Sequence, residues 1–296
     1  MQAIIAGPGG PALGTAPEPD PAPDQVVVAV RHASVNYGEA RYAAAWPAGT
    51  VLGYDAAGVV VRAARDGSGP GEGQRVAAVG AGAGAERAAF GTDSVAVVPD
   101  GVDLATGAAL QLAGKMALRT VRAAGSIVGR RVLVTGASGG VGRLAVQLAR
   151  LGGAHVVAAA GRTDGLTGLG AHEVVTALDQ VGEAVDVVLE HVGGRHLIDA
   201  WALLRPGGVL QSIGWASDAP AVFPPNSIFA HGPAKTLMSF GDASRPAADL
   251  TTLLGLVAAG HLRVDVGWRG PWDTVTAAVD ALLARRVPGK AVLDIS

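Results

Sequence analysis

Cysteine is absent from the chain. That absence excludes disulfides, thiolate nucleophiles, iron–sulfur clusters and every zinc site that needs sulfur. It is compatible with a reducing compartment, and a cytoplasmic location is the expectation. Charge is also scarce: 16% of the 296 residues are Asp, Glu, Lys or Arg, with a balance of −2 and no basic block. Such a chain is not built to grip nucleic-acid phosphates or an anionic membrane surface, so neither partner is expected. Lysine is rarer still, at three residues against twenty arginines. The longest uncharged stretch, Met1 to Pro17, contains Gly-Pro-Gly-Gly-Pro and has no basic leader, which makes it a poor signal peptide or membrane span. No internal repeat is visible.

What is present is apolar and turn-rich. Hydrophobic residues make up 49% of the chain, alongside 44 glycines and 17 prolines, enough to bury a sizeable core in one or two domains. From Gln25 to about Pro99 the apolar segments are short and broken. Strands are expected at Val26–Val30, Gly58–Val61, Arg75–Val79 and Val95–Val98. The period then changes. Ala105–Ala124 reads as one or two helices, Arg131–Thr135 as a fully apolar strand and Val141–Leu151 as a helix. Further strands are expected at His155–Ala160, Val174–Thr176, Val185–Leu189, Val209–Ile213 and Thr236–Phe240, with a helix at Arg195–Leu204. This alternation implies a parallel sheet wrapped on both faces, because parallel neighbours need crossovers. Two last helices, Ala247–Ala259 and Trp272–Ala284, precede a strand at Ala291–Ile295.

The most informative stretch joins Arg131-Val-Leu-Val-Thr135 to Gly136-Ala-Ser-Gly-Gly-Val-Gly142 and a helix. Ala137, Gly139 and Gly142 fall at the three places of a G-x-G-x-x-G fingerprint, with Ala in the first. Gly139 lets the backbone approach a pyrophosphate and Gly142 lets helix and strand pack closely. Ser138, Gly139, Gly140, Val141 and Gly142 then present amides to the anion at a helix start. At the end of the next strand NAD enzymes carry an acid for the ribose 2′-hydroxyl. None is there. Gly161 and Arg162 follow instead, and a guanidinium there pairs with the 2′-phosphate of NADP. NADP(H) is therefore the expected cofactor, the bland alternative being a solvated loop arginine.

At this point the chain resembles the medium-chain dehydrogenase/reductases, specifically their zinc-free quinone oxidoreductase and enoyl reductase branch. The carriers of the resemblance are Ser34-Val-Asn36, Gly53-Tyr-Asp-Ala-Ala-Gly58, Gly73-Gln-Arg-Val76, the Ala137 to Gly142 turn with Gln147-Leu-Ala149, Glu190-His-Val-Gly-Gly194, Pro206-Gly-Gly208 and Gly289-Lys-Ala-Val-Leu293. The resemblance implies an α/β fold, a Rossmann-type doubly wound parallel sheet plus a GroES-like β domain. The GroES-like domain would take 1–107 and 244–296, and the dinucleotide-binding domain 108–243. It also implies a cleft where they meet and a homodimer. Zinc is not expected, because the family's ligand cysteines are missing. His191 and His196, five apart, look solvated or capping rather than ligating.

The resemblance sets Asn36 and Tyr37 beside the nicotinamide, as orienter of a substrate carbonyl and as proton donor. An aromatic packed at a domain seam is the equal alternative for Tyr37. Glu39, Arg41 and Tyr42 follow on a turn or short helix. Tyr42 is a candidate for the substrate entrance, although a surface role is the plainer reading of all three. Asp55 is assigned a structural role, holding backbone. Val192 and Gly193, Ile213, Gly214 and Trp215, and Phe240 with Gly241 end strands, where coenzyme ribose and carboxamide are met; Trp215 also reaches toward substrate. One departure stands out. Lys115 and Met116 replace an apolar residue and a Thr usual in the family. Lys115 is either a cation stabilising an enolate or a packed stem with a solvated ammonium. Met116 stands where a nicotinamide contact is expected.

The expected activity is NADPH-dependent transfer of hydride to an α,β-unsaturated carbonyl compound or a quinone. Two rivals remain: a cofactor-binding protein that is a non-redox tailoring enzyme or a sensor, and a reductase of carrier-tethered thioesters.

Overall fold

The computed structural model describes residues 1–229 and 232–295. The chain forms two compact units, Met1–Lys115 with Ala243–Ser296, and Met116–Asp242. Elements are numbered in chain order.

The first unit is mostly β. A seven-stranded sheet contains β3 (Gln25–Val35), β4 (Asp55–Arg62), β5 (Arg75–Val79), β6 (Arg87–Gly91), β7 (Val95–Val97), β14 (Val266–Pro271) and β15 (Lys290–Asp294). Its order is β14-β15-β3-β4-β5-β7, with β6 pairing β3. Alternate residues of β3, Val26, Val28 and Val30, point into a core shared with Val76, Phe90, Leu293 and the helix α6 (Val275–Leu283). Each such side chain contributes on the order of 1.5–3 kcal/mol on burial. Gly58 is needed where β3 and β4 cross closely, because a Cβ there would lie 2.9 Å from Val30 Cα.

Four strands went unseen in the sequence. β1 (Gln2–Gly7) and β2 (Gly10–Thr15) pair antiparallel in the Gly- and Pro-rich N-terminal stretch. Pro11 lacks a donor, yet a two-stranded ribbon has outer edges where none is required. β6 lies in the gap left between Gly80 and Phe90, and β14 between the last two helices. A short helix α1 (Tyr37–Tyr42) follows β3, capped by Asn36 and Glu39 in a reciprocal box.

The second unit is a six-stranded sheet, parallel throughout. Its strands are β8 (Arg131–Thr135), β9 (His155–Ala159), β10 (Glu173–Val175), β11 (Val185–Glu190), β12 (Leu204–Ser212) and β13 (Thr236–Ser239). They lie in the order β10-β9-β8-β11-β12-β13, so the order reverses between β8 and β11. All six carboxyl ends share one edge, the edge at which such sheets bind ligands. Helices α3 (Gly140–Leu151) and α4 (Gly194–Leu203) make two of the crossovers. The 20-residue helix α2 (Leu104–Ala123) is continuous. Between β9 and β10 only a 3-10 turn, Thr167–Leu169, is formed. Arg143 of α3, 7% exposed, ties that loop down by donating to the Asp164 carbonyl at 3.2 Å. No helix among the described residues is long and apolar enough to cross a membrane.

Candidate functional site

The second unit brings the expected coenzyme residues from Ser138 to Gly241 to the carboxyl edge of its sheet, while Asn36 lies in the first unit and Met116 on α2. β8 turns at Gly136, whose φ is +58°, and α3 begins at Gly140. The first intrahelical bond is Arg143 N–H to Gly139 O. The amides of Gly140, Val141 and Gly142 therefore precede the helix ladder and face its N-terminal end, where an anion is favoured. Ser138 is half-buried at the same turn. A Cβ on Gly142 would sit 2.7 Å from Ala137 Cα, which shows how tightly helix and strand pack. One on Gly139 would meet Gly136 O at 3.4 Å, an ordinary contact that leaves its outer side open. β9 ends in Ala158 and Ala159, with Ala160 buried, Gly161 exposed and Arg162 half-buried beyond it. No acid stands there. The cradle fits the pyrophosphate of a dinucleotide.

Next along that edge, Glu190 is fully buried. It accepts hydrogen bonds from Thr135 Oγ at 3.0 Å and from the amides of Val192 and Gly193 at 2.9 Å each. Burial raises its pKa, while those donors oppose the rise. The loop after β11 is thus held by a carboxyl from below. His191, expected to be solvated or capping, is enclosed instead. Its Nδ1–H donates to Thr135 O at 2.8 Å, since a carbonyl can only accept. That fixes Nε2 as a buried acceptor with no partner among the described residues, and burial pulls its pKa down to about 4. His196 is exposed.

Ile213 and Gly214 are anchored by their amides to Glu190 O. Trp215 corrects the expectation of a side chain free to reach substrate. Its indole N–H donates to Ala219 O at 2.6 Å, and a Cβ on Gly193 would lie 2.6 Å from its ring. The indole therefore lies against the Gly193 backbone. Phe240 continues the edge through its amide to Ser212 O at 2.9 Å, and Gly241 is exposed.

The first unit builds a buried polar cluster beneath α1. Asp55, fully buried, accepts from Lys290 Nζ at 3.2 Å, from Asn36 Nδ2 at 3.0 Å and from the Leu112 amide at 3.1 Å. Its structural reading fits these contacts. Asn36 is corrected. Its two amide hydrogens go to Asp55 and to Glu39 Oε1 at 3.2 Å, and its carbonyl takes Lys290 Nζ. No N–H is left to orient a substrate. Glu39 is also corrected from a surface role: it lines an apolar cavity together with Tyr54, Trp46 and Val275. Burial and the neighbouring Asp55 charge push its pKa up to about 7, against the pull of Asn36 and Lys290. Tyr37 lies under the Arg285 guanidinium, 3.9 Å from ring centre. Tyr42 is exposed.

Lys115 is fully buried and donates to Ala243 O at 3.1 Å. The solvated-ammonium reading is therefore wrong, and its ammonium ties backbone. Met116, half-buried, gives its carbonyl to Thr120 Oγ at 2.8 Å. Among the described residues no group of three or more His, Asp or Glu is arranged to hold a metal ion. Sequence reasoning missed the active placement of Glu39, the enclosure of His191, and Lys290 and Tyr54 as site residues. The Gly289-Lys-Ala and Gly53-Tyr-Asp motifs were the available signals for the last two.

Comparison with known proteins places this geometry. Residues 22–121 match the alcohol dehydrogenase GroES-like domain, and residues 151–293 match the zinc-binding dehydrogenase domain. The spectinabilin polyketide synthase system protein NorB of Streptomyces orinoci is 34% identical over 291 residues, covering 93% of this chain. The chain spans only 13% of that protein's length. The quinone oxidoreductase of Sus scrofa is 29% identical over 265 residues, 81% of this chain and 78% of that one. The solved quinone oxidoreductase of Pseudomonas syringae pv. Tomato DC3000 superposes with a TM-score of 0.88 at 26% identity, covering 99% of this chain and 100% of the other.

Proposed function

Because the chain belongs to the medium-chain dehydrogenase/reductase superfamily of oxidoreductases, we propose that it is a zinc-independent, NADPH-dependent reductase of activated C=C bonds or quinones. The observation that carries this reading is the glycine cradle at the carboxyl edge of a sheet whose second strand ends without an acid and with Arg162. When bound, the coenzyme supplies the hydride that reduces the substrate.

The chain's own residues do the rest. The amides of Gly140, Val141 and Gly142, with Ser138 and Gly139 at the turn, would hold the pyrophosphate, and Arg162 would pair with the 2′-phosphate. Backbone groups of Val192, Gly193, Ile213, Gly214, Phe240 and Gly241 hold ribose and carboxamide. Glu190 keeps the Val192–Gly193 loop in place through two amide bonds. Tyr37, its ring held by Arg285, is the phenol that delivers the proton. Lys115 is given no part in the chemistry, since its buried ammonium holds the Ala243 carbonyl. The sulfur ligands of a zinc dehydrogenase are missing from the sequence, and hydride addition to an enone or quinone has less need of a Lewis acid than alcohol oxidation has. β13 pairs with β12 along one edge, and its Leu237 is exposed, which supports a homodimer.

The test is NADPH consumption by the purified chain with a panel of enones and quinones. Coenzyme binding without consumption across the whole panel would refute the reading in favour of a non-redox tailoring enzyme or sensor. The 34% identity to a polyketide synthase protein favours a second reading, reduction of an acyl thioester tethered to a carrier protein. Turnover only with the carrier-bound substrate would select it.

A further inference from the structure

The first unit contains a partly open cavity of about 80 Å³ whose walls are almost wholly apolar. Ile4, Val35, Leu52, Val275 and Leu293 supply carbon surface from four different strands and helices and one loop, and Trp46 stands at the wall. Glu39 is the one carboxyl among the lining residues. A carboxyl facing apolar space is costly in its charged form unless paired.

The charges around it decide its state. Asp55 faces it from β4 and Lys290 from β15, with Asn36 at the start of its own helix. Two carboxyls therefore share one ammonium. Lys290 bonds Asp55 and Asn36, so the positive charge is committed to Asp55. Glu39 receives only the two N–H groups of Asn36, to Oε2 at 3.0 Å and to Oε1 at 3.2 Å. A proton is the remaining way to neutralise it, which accords with a pKa pushed up to about 7. Up to neutrality the cavity thus offers the Glu39 O–H as a donor, beside the hydroxyls of Thr50 and Tyr54, in otherwise apolar walls. The complementary ligand has a compact carbon body, no charge and one strong acceptor.

We propose that this cavity binds the carbon body of a small neutral carbonyl compound, whose oxygen accepts a hydrogen bond from the Glu39 carboxyl. The proposal rests on the reductase reading and narrows its substrate to compact neutral ketones, enones or quinones. A carboxylate ligand is repelled by Asp55. An alkylammonium ion is the rival, since it would pair with Glu39 in its ionised form.

The experiment titrates the full chain, without coenzyme, with cyclohexanone and in parallel with cyclohexylamine, reading tryptophan fluorescence. Trp46→Phe identifies the signal from the cavity. Cyclohexanone is expected to quench Trp46 and to bind about tenfold more weakly at about pH 8 than at about pH 6, following the loss of the Glu39 proton. Glu39→Gln keeps one oxygen for the Asn36 backbone amide and an N–H donor, giving up the Asn36 Nδ2 contact, so it should bind the ketone with the pH dependence gone. Ketone binding that ignores pH in the unmodified chain, a signal unchanged in Trp46→Phe, or cyclohexylamine binding that tightens as pH rises would each overturn the proposal. The reductase reading fails separately, on NADPH consumption. Brisk enone turnover without any Trp46 response would sink the cavity proposal alone.

Discussion

Replacing Lys290 by Met tests the charge cluster most directly. The lysine is 4% exposed and Asp55 not at all, so the ammonium balances a carboxyl that water cannot reach. Methionine keeps most of the stem's volume and removes the charge. Asp55 and Glu39 are then left as two buried carboxyls with no cation, and the Asn36 carbonyl loses its donor. Breaking a buried pair in this way costs about 3–5 kcal/mol. For a unit of this size each kcal/mol lowers Tm by about 2–4 °C, so a drop of about 6–20 °C is expected at neutral pH. A Lys290→Met, Asp55→Asn double variant removes the orphaned charge and should recover more than half of the drop. Calorimetric or urea unfolding of all three proteins reads the outcome. A single-variant loss under about 1 kcal/mol, or a double variant whose losses simply add, would refute the argument.

Gly142→Ala should cost about 1–3 kcal/mol of stability, since its Cβ meets backbone that cannot move aside, and should weaken NADPH binding by calorimetry; unchanged affinity would contradict the cradle. Arg162→Ser is expected to reduce the preference for NADPH over NADH by about 10–100-fold, the worth of a charge-assisted pair, with kcat/KM for both coenzymes as the measure. Glu39 binds its proton more tightly folded than unfolded, so it makes stability fall as pH rises from its ordinary 4.5 to about 7, by at most about 3 kcal/mol. Glu39→Gln should abolish that fall in urea titrations. His191 has the opposite sign. Held neutral down to about pH 4 against an ordinary 6.5, it contributes stability that is lost as pH falls through that window. His191→Asn should therefore flatten the acid limb, and an unaltered limb would contradict the enclosure of the ring.

The dinucleotide half of the fold was legible because its signals are local. Val132, Leu133 and Val134 form an apolar run, the glycines follow within two residues, and Leu144, Ala145 and Leu148 give α3 its buried face; one strand, one turn and one helix declare themselves within about twenty residues. The N-terminal hairpin was hidden because Gly7, Gly10 and Pro11 read as breakers until a partner strand is in place. Lys115 could not be judged from composition. A lone lysine on a helix is usually solvated, and only the return of the chain at Ala243 puts a carbonyl where its ammonium ends. Trp215 was likewise misjudged, since the Gly193 backbone that its ring covers comes from a different strand end.

Glu39 marks the division between the two kinds of knowledge. Its position three residues after Asn36 makes it a helix cap, and that much is written in the local order of residues. Its protonation is not. Asp55 and Lys290 stand 19 and 254 residues from Asn36 along the chain, and no periodicity links them. Residue order determined which strands, turns and helices form, because those depend on neighbours a few positions away. The tertiary structure decided which charges lose water together, because desolvation depends on what the folded chain packs around a group, however distant in sequence.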